Sequence, residues 1–277
     1  LSGRVAVQKK TDTVSDPIPY VYDCFWADVV SFEEITPSMT RFIFKVEDGE
    51  RFISSGCPDE WVRLSFQPNA DTPLTLQVRD ENGKWRWPDG AEPCPDRPYT
   101  VRYWDGFRHE MTIDIVAHDS GLATEWARSA RIGDRVGVCN PGGRFRMPKQ
   151  TDWLLMVTDI TGLPAVARVM EELPSDFAAY VHVEIPLEED RQSLKTQAEL
   201  DLTWHITHTK RTGGTEHSRL AAIAAGITAL PEGNGYIYIA GEAKMVSQSR
   251  KHFRDTLGFD KNCIEAIGYW IEGQSRG

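Results

Sequence analysis

Within the segment Arg97-Pro98-Tyr99-Thr100 the chain sets a cation, a flat aromatic ring and a small hydroxyl side by side. Further on, His118-Asp119-Ser120-Gly121-Leu122-Ala123-Thr124-Glu125-Trp126 supplies small residues at what reads as a helix start. Together they suit a ligand built from a redox-active ring and a pyrophosphate. The ring asks for an aromatic face and a hydrogen-bond partner at its reactive nitrogen, while the phosphates ask for Arg and uncluttered backbone N–H groups. A flavin dinucleotide has both parts. Alone, the first segment also fits a plain strand start with an exposed Arg. The downstream cluster adds a phosphate cradle, because a helix start presents unpaired N–H groups and the positive end of the helix dipole.

Three later segments offer groups to a nucleotide. Asn140-Pro141-Gly142-Gly143 has glycines that permit close approach to the backbone, although a simple turn also accounts for them. Asp159-Ile160-Thr161-Gly162-Leu163-Pro164-Ala165 falls where a strand meets a helix, with Thr161 as N-cap and Pro164 in the first turn. Ligands collect at such strand ends in an open parallel sheet. The G-x-G-x-x-G fingerprint is absent, which counts against an ordinary Rossmann dehydrogenase. In Ala240-Gly241-Glu242-Ala243, Gly241 admits a ligand to the backbone and Glu242 can bond a ribose or amide, or simply serve as the acid of a helix-entry turn. Lys210 and Arg211 could meet a 2′-phosphate or stand as solvated loop charges. No H-E-x-x-H or G-x-S-x-G occurs, so metal and hydrolase readings have little support.

The elements that must carry these residues fall into two textures. From Phe25 to Asn140 short alternating runs predict an antiparallel sheet, closed as a barrel: Phe25–Ile35, Met39–Val46, Trp61–Phe66, Leu74–Val78, Tyr99–Asp105, Met111–Ala117 and Arg135–Val138, with one helix at Leu122–Ala130. After Pro148 strands alternate with helices: Leu154–Thr158, Tyr180–Ile185, Thr203–Thr207, Tyr236–Ala240 and Ile264–Trp270 are strands, and Leu163–Leu173, Thr215–Ala225 and Ala243–Leu257 helices. That pattern implies a parallel sheet covered on both faces. The fold expected is β + α/β, with an arm over residues 1–22, a barrel over 23–148 and an α/β domain over 149–277.

With 277 residues, 40% of them hydrophobic and 26% charged, the chain suits two ordinary domains. A net charge of −10 with no long basic run argues against nucleic acid. Leu220–Leu230 is too short to span a bilayer, and no apolar signal core begins the chain, which points to a soluble cytoplasmic protein without stable membrane insertion. The five cysteines, Cys24, Cys57, Cys94, Cys139 and Cys263, are odd in number and widely spaced, and are expected to be reduced, buried small residues rather than a disulfide framework.

From about Phe25 onward the chain resembles the siderophore-interacting protein family, flavin-dependent ferric-siderophore reductases of the ferredoxin–NADP reductase superfamily. The resemblance rests on ordered motifs: Ile35 through Arg41, Arg97 through Thr100, His118 through Trp126, Asn140 through Gly143, Asp159 through Ala165, Ala240-Gly241-Glu242, and Gly268-Tyr269-Trp270 with Gly273. It implies an FAD-binding barrel followed by an NADPH- or NADH-binding domain. Arg97 would neutralise pyrophosphate, Tyr99 would stack on the isoalloxazine next to Pro98, and Thr100 would bond near the reactive nitrogen. Val116, His118, Gly121, Ala123 and Thr124 would contact the rest of the FAD, Asp159 and Thr161 the adenosine side, and Gly241, Glu242, Tyr269 and Trp270 the nicotinamide approach. Arg63, where relatives often have Lys, and Arg144 would attract an anionic ferric siderophore, while Ile271 replaces a basic residue common in the family. The alternatives are a flavin or ferredoxin-linked reductase that never meets a siderophore, and a non-catalytic ferric-siderophore carrier.

Overall fold

The computed structural model describes residues 23–117, 121–207 and 218–273. The expected arm over 1–22, His118, Lys210 and Arg211 lie outside these residues, as does the start of the helix expected from Thr215. Six strands, β1 (Cys24–Thr36), β2 (Met39–Val46), β3 (Trp61–Ser65), β6 (Asp96–Asp105), β7 (Glu110–Val116) and β8 (Arg135–Gly142), close a barrel in the order β1-β2-β7-β6-β3-β8. Alternation drives the closure: Phe42, Phe44, Val62, Leu64, Val101, Met111, Ile113 and Val138 all turn inward and are buried. Helix α1 (Leu122–Ser129) covers this core, with Trp126 against Phe42, Phe44 and Phe66 at ring-centroid distances of 5.3, 6.1 and 5.3 Å.

Two expectations are corrected here. Leu74–Val78 is not a barrel strand: only β4 (Val78–Arg79) and β5 (Trp85–Arg86) pair in this stretch. Pro73, which has no N–H to give a ladder, immediately precedes the segment, and Leu76 is instead buried beside Gly137, where an added Cβ would lie 2.3 Å from Leu76 Cδ2. Cys24 and Cys139 are not reduced but joined as a disulfide. They lie 115 residues apart in sequence, and only barrel closure, which lays β8 against β1, makes them opposite partners.

The second sheet is wholly parallel, in the order β11-β10-β9-β12-β13: β9 (Trp153–Asp159), β10 (Ala178–Ile185), β11 (Glu199–Ile206), β12 (Gly235–Glu242) and β13 (Ile264–Trp270). Its central strand explains the two covered faces. Leu154 and Met156 join one cluster with Val166, Val169 and Met170 of α2 (Leu163–Glu172). Leu155 and Val157 point the other way, to Leu220 and Ala224 of α3 (Leu220–Gly226) and Val246 of α4 (Ala243–Lys251).

The barrel and the sheet meet along a pinned interface. Ser38, in the motif between β1 and β2, donates its N–H and hydroxyl to buried Asp190 at 2.9 and 2.7 Å. Arg102 makes a bidentate pair with Glu171 at 3.0 and 2.6 Å. Arg168 Nη1 donates to the Val101 carbonyl at 2.6 Å and lies 3.7 Å from the buried Glu60 carboxylate. Phe145 packs its ring on Tyr236 and Tyr238 of β12.

Candidate functional site

Arg97, Pro98, Tyr99 and Thr100 occupy the start of β6. Because β6 and β7 are antiparallel, this start and Val116 at the end of β7 share one barrel rim, and α1 begins just beyond. Arg97 Nη1 donates to the Asp96 carbonyl at 2.6 Å. Tyr99 packs its half-buried ring on the barrel cluster, and burial raises its phenol well above the ordinary tyrosine range. Thr100 turns to the opposite face, 6% exposed, near the Tyr269 phenol of β13. Gly121 caps α1 without a side-chain hydrogen bond at φ 128°, a backbone region that favours glycine, and Ala123 and Thr124 are buried in the first turn. A guanidinium, an aromatic ring, a hydroxyl and an open helix start on one rim fit the chemistry of FAD.

On the sheet side, Asp159 gathers the predicted nucleotide residues. Its buried carboxylate accepts from Thr161 N–H at 2.8 Å, Thr161 Oγ1 at 2.5 Å, Glu242 N–H at 3.1 Å and Trp270 Nε1 at 2.7 Å. Gly241 lies so close that an added Cβ would meet Asp159 Oδ2 at 2.6 Å. Glu242 is itself 3% exposed and caps α4, accepting from Met245 N–H at 2.8 Å. Its helix-entry role is therefore the one the fold uses. These residues form one hydrogen-bonded unit that shapes the ends of β9, β12 and β13.

Two residues that sequence reasoning passed over connect the two sides. Asp59, fully buried, accepts the backbone N–H groups of Arg144 and Phe145, each at 2.9 Å, and the Tyr238 hydroxyl at 3.4 Å. Tyr238 and Tyr269 share a hydrogen bond of 2.9 Å. A hydrogen-bonded chain thus runs Asp59, Tyr238, Tyr269 and ends near Thr100. Burial pushes the Asp59 carboxyl up to about 6, against the lowering effect of the Phe145 and Arg144 N–H groups. The sign of the resulting pH dependence follows directly: the folded chain keeps a proton up to about pH 6 that an unfolded Asp releases near 4. This group's contribution to stability therefore falls as pH rises through that window. Asp59→Asn is expected to gain on the order of 1–3 kcal/mol over the native chain at neutral pH and nothing at pH 4. Urea unfolding at both pH values checks this, and an equal change at both would contradict the buried charge as its origin.

The candidate substrate cations each have a carboxylate partner. Arg63, opposite Pro98 across β3 and β6, donates Nε to Asp96 at 2.6 Å. Arg144 reaches from beyond β8 to Glu265 on β13, Nε to Oε1 at 3.0 Å, while remaining 57% exposed. Among the described residues, no helix is long and apolar enough to cross a membrane.

Comparison with known proteins matches this geometry to one group. The model for the siderophore-interacting FAD-binding domain matches residues 28–145, and that for siderophore-interacting protein matches residues 151–273. The chain is 31% identical over 246 residues to the NADPH-dependent ferric-chelate reductase of Escherichia coli K12, covering 87% of this chain and 91% of that one. It is 29% identical over 217 residues to the ferric vibriobactin reductase ViuB of Vibrio cholerae, 77% of each chain. The crystal structure of a siderophore utilization protein from T. fusca superposes with a TM-score of 0.80 at 27% identity, over 95% of this chain and 98% of that one. A ferredoxin NADP+ reductase from Neisseria gonorrhoeae shares the fold, with a TM-score of 0.58 at 15% identity over 89% of this chain and 99% of that one.

Proposed function

The chain belongs to the siderophore-interacting protein family, and we propose that it is a cytoplasmic reductase that takes electrons from NADPH or NADH and delivers them through FAD to Fe(III) held in a siderophore. FAD, when bound, accepts two electrons together and releases them singly. The work of the chain is to hold and orient. Residues 23–148 would hold the flavin, with Arg97 and the α1 start at Gly121 on the pyrophosphate, Tyr99 on the ring and Thr100 at the reactive nitrogen. Residues 149–277 would bring the nicotinamide nucleotide along the ends of β9, β12 and β13, with Trp270 and Gly241 shaping its approach. Arg63 and Arg144 would draw the anionic chelate through screened electrostatics. Hard oxygen chelators hold Fe(II) poorly, so reduction frees the metal with the siderophore intact.

One observation supports this reading: Arg168 of α2 donates to the Val101 carbonyl of β6 and Tyr238 of β12 to Asp59 just before β3, which hold the start of β6 against the second sheet, so that the two proposed cofactor sites would lie side by side. The names of the relatives, a ferric vibriobactin reductase and an NADPH-dependent ferric-chelate reductase, support the substrate class. The test is the visible spectrum of the FAD-loaded chain under anaerobic conditions. Bleaching by NADPH and recovery on adding a ferric siderophore are expected. A chain that stays colourless with FAD would favour a carrier, and one bleached by reduced ferredoxin but by neither nicotinamide nucleotide would remove the direct donor.

A further inference from the structure

We propose that Asn140 is a flavin-binding residue: its carboxamide takes the imide edge of the isoalloxazine, with Oδ1 accepting the ring N–H. This rests on the reading above that the barrel rim holds FAD with its ring on Tyr99.

Asn140 is half-buried, and its Oδ1 is shielded from solvent with no hydrogen-bond partner among the described residues. A buried polar atom left unpaired is destabilising, so its presence in a folded chain asks for a ligand or a function that accounts for it. Two other side-chain atoms share the condition, and their places set them apart. Trp153 Nε1 belongs to the first residue of β9, at the end of the sheet away from Asp159. Thr36 Oγ1 belongs to the last residue of β1, beside the Ser38 turn that is pinned to Asp190. Of the three, Asn140 is the one in register with Tyr99.

That register comes from a bulge. β3 pairs Trp61 with Gly142 and Arg63 with Cys139, so Val62 stands opposite two residues, Asn140 and Pro141. On its other edge Val62 pairs with Tyr99. Asn140 and Tyr99 are therefore two strand spacings apart, about 10 Å, which a three-ring isoalloxazine can bridge. Bulges re-aim a side chain and are common beside active sites.

The backbone at this bulge would be served better by glycine. Asn140 has φ 62°, in the left-handed region where glycine is the unstrained choice and Asn is merely tolerated. The side chain is thus kept for what it does. Its backbone is also fixed before any ligand arrives, because the Asn140 N–H donates to the Asp23 carbonyl at 3.1 Å and the adjoining Cys139 is bonded to Cys24. Less freedom is then left to lose on binding.

Hydrogen-bond chemistry selects the part of FAD that is met here. An imide edge shows an N–H between two carbonyls, and a carboxamide shows a C=O beside an NH2 group, so the two match in parallel hydrogen bonds whichever way the amide is turned. Phosphates offer acceptors alone, which an amide oxygen cannot satisfy. Adenine has a comparable edge, but the shared row with Tyr99 assigns Asn140 to the ring.

The test is the proton–nitrogen NMR correlation of FAD labelled with nitrogen-15 at the imide, bound to the native chain, to Asn140→Gly and to Asn140→Asp. Glycine suits the backbone and removes the amide, whereas aspartate keeps an acceptor. The imide proton is expected downfield in the native complex, clearly upfield of that in the glycine variant, and still downfield in the aspartate variant. Calorimetric titration should show FAD bound about 5- to 20-fold more weakly by the glycine variant, with ADP, which lacks the ring, bound equally by both. Urea unfolding of the FAD-free glycine variant should have a midpoint no lower than that of the native chain, since the unpaired acceptor is gone. An imide proton that stays in place in the glycine variant, or an equal loss of ADP affinity, would overturn the proposal. A lower midpoint without FAD would overturn it too, because the amide would then be a structural group. Failure of the native chain to take up FAD would show in the visible spectrum and would overturn the functional reading itself, and this proposal with it.

Discussion

Replacing Arg97 with alanine is expected to weaken FAD binding by roughly 10- to 100-fold. A charge-assisted bond to a phosphate contributes about 1.5–3 kcal/mol, and every 1.4 kcal/mol or so is tenfold in affinity. The guanidinium is well placed to supply that energy, because its bond to the Asp96 carbonyl at 2.6 Å holds it at the head of β6 and less side-chain freedom is left to lose on binding. Arg97→Lys keeps the charge but gives up the planar fork, so an intermediate loss is expected. Calorimetric titration of the FAD-free chain measures both. If alanine leaves affinity within twofold, the pyrophosphate lies elsewhere and the rim assignment falls, even though the α1 start remains.

The largest expected loss of stability comes from Asp159→Ala. The substitution strips the acceptor from two backbone N–H groups, one hydroxyl and the Trp270 indole. A buried donor left without a partner costs about 1–3 kcal/mol. These costs are not additive within one cluster, so a total near 4 kcal/mol and a fall in Tm of about 10 °C are expected. Asp159→Asn retains one acceptor oxygen and should recover part of it. Chemical unfolding of the two variants decides the point. A loss below about 1 kcal/mol for alanine would mean that water replaces the carboxylate and that the strand ends do not depend on it.

The barrel and the parallel sheet could be read in advance because their strands differ in burial pattern. One-sided alternation such as Phe42 and Phe44 marks the first, and the apolar run from Trp153 through Val157, buried on both faces, marks the second. Arg97, Tyr99 and Thr100 stand out as candidates for a related reason: they combine three chemistries within four residues, and the structure sets them together at the start of β6. Asp59 and Tyr238 do not. Tyr238 lies in Gly235–Glu242, where a phenol is indistinguishable from one more large core residue until its hydroxyl's partner is known. Asp59 follows Pro58 in what reads as a surface turn, and only the return of the chain at Arg144 and Phe145 covers it. The Cys24–Cys139 bond was hidden in the same way, since loop separation says nothing about which strands close a barrel. Glu242 shows the reverse case: its type was compatible with a ligand, and the cap it makes on α4 is local.

The contacts of Ser38 with Asp190, Arg102 with Glu171, and Arg168 with Val101 and Glu60 are spread along the seam between barrel and sheet. Their consequence is mechanical. Plates riveted at several separated points cannot pivot on any one of them, so the two halves are expected to keep one relative placement whether or not a guest is bound.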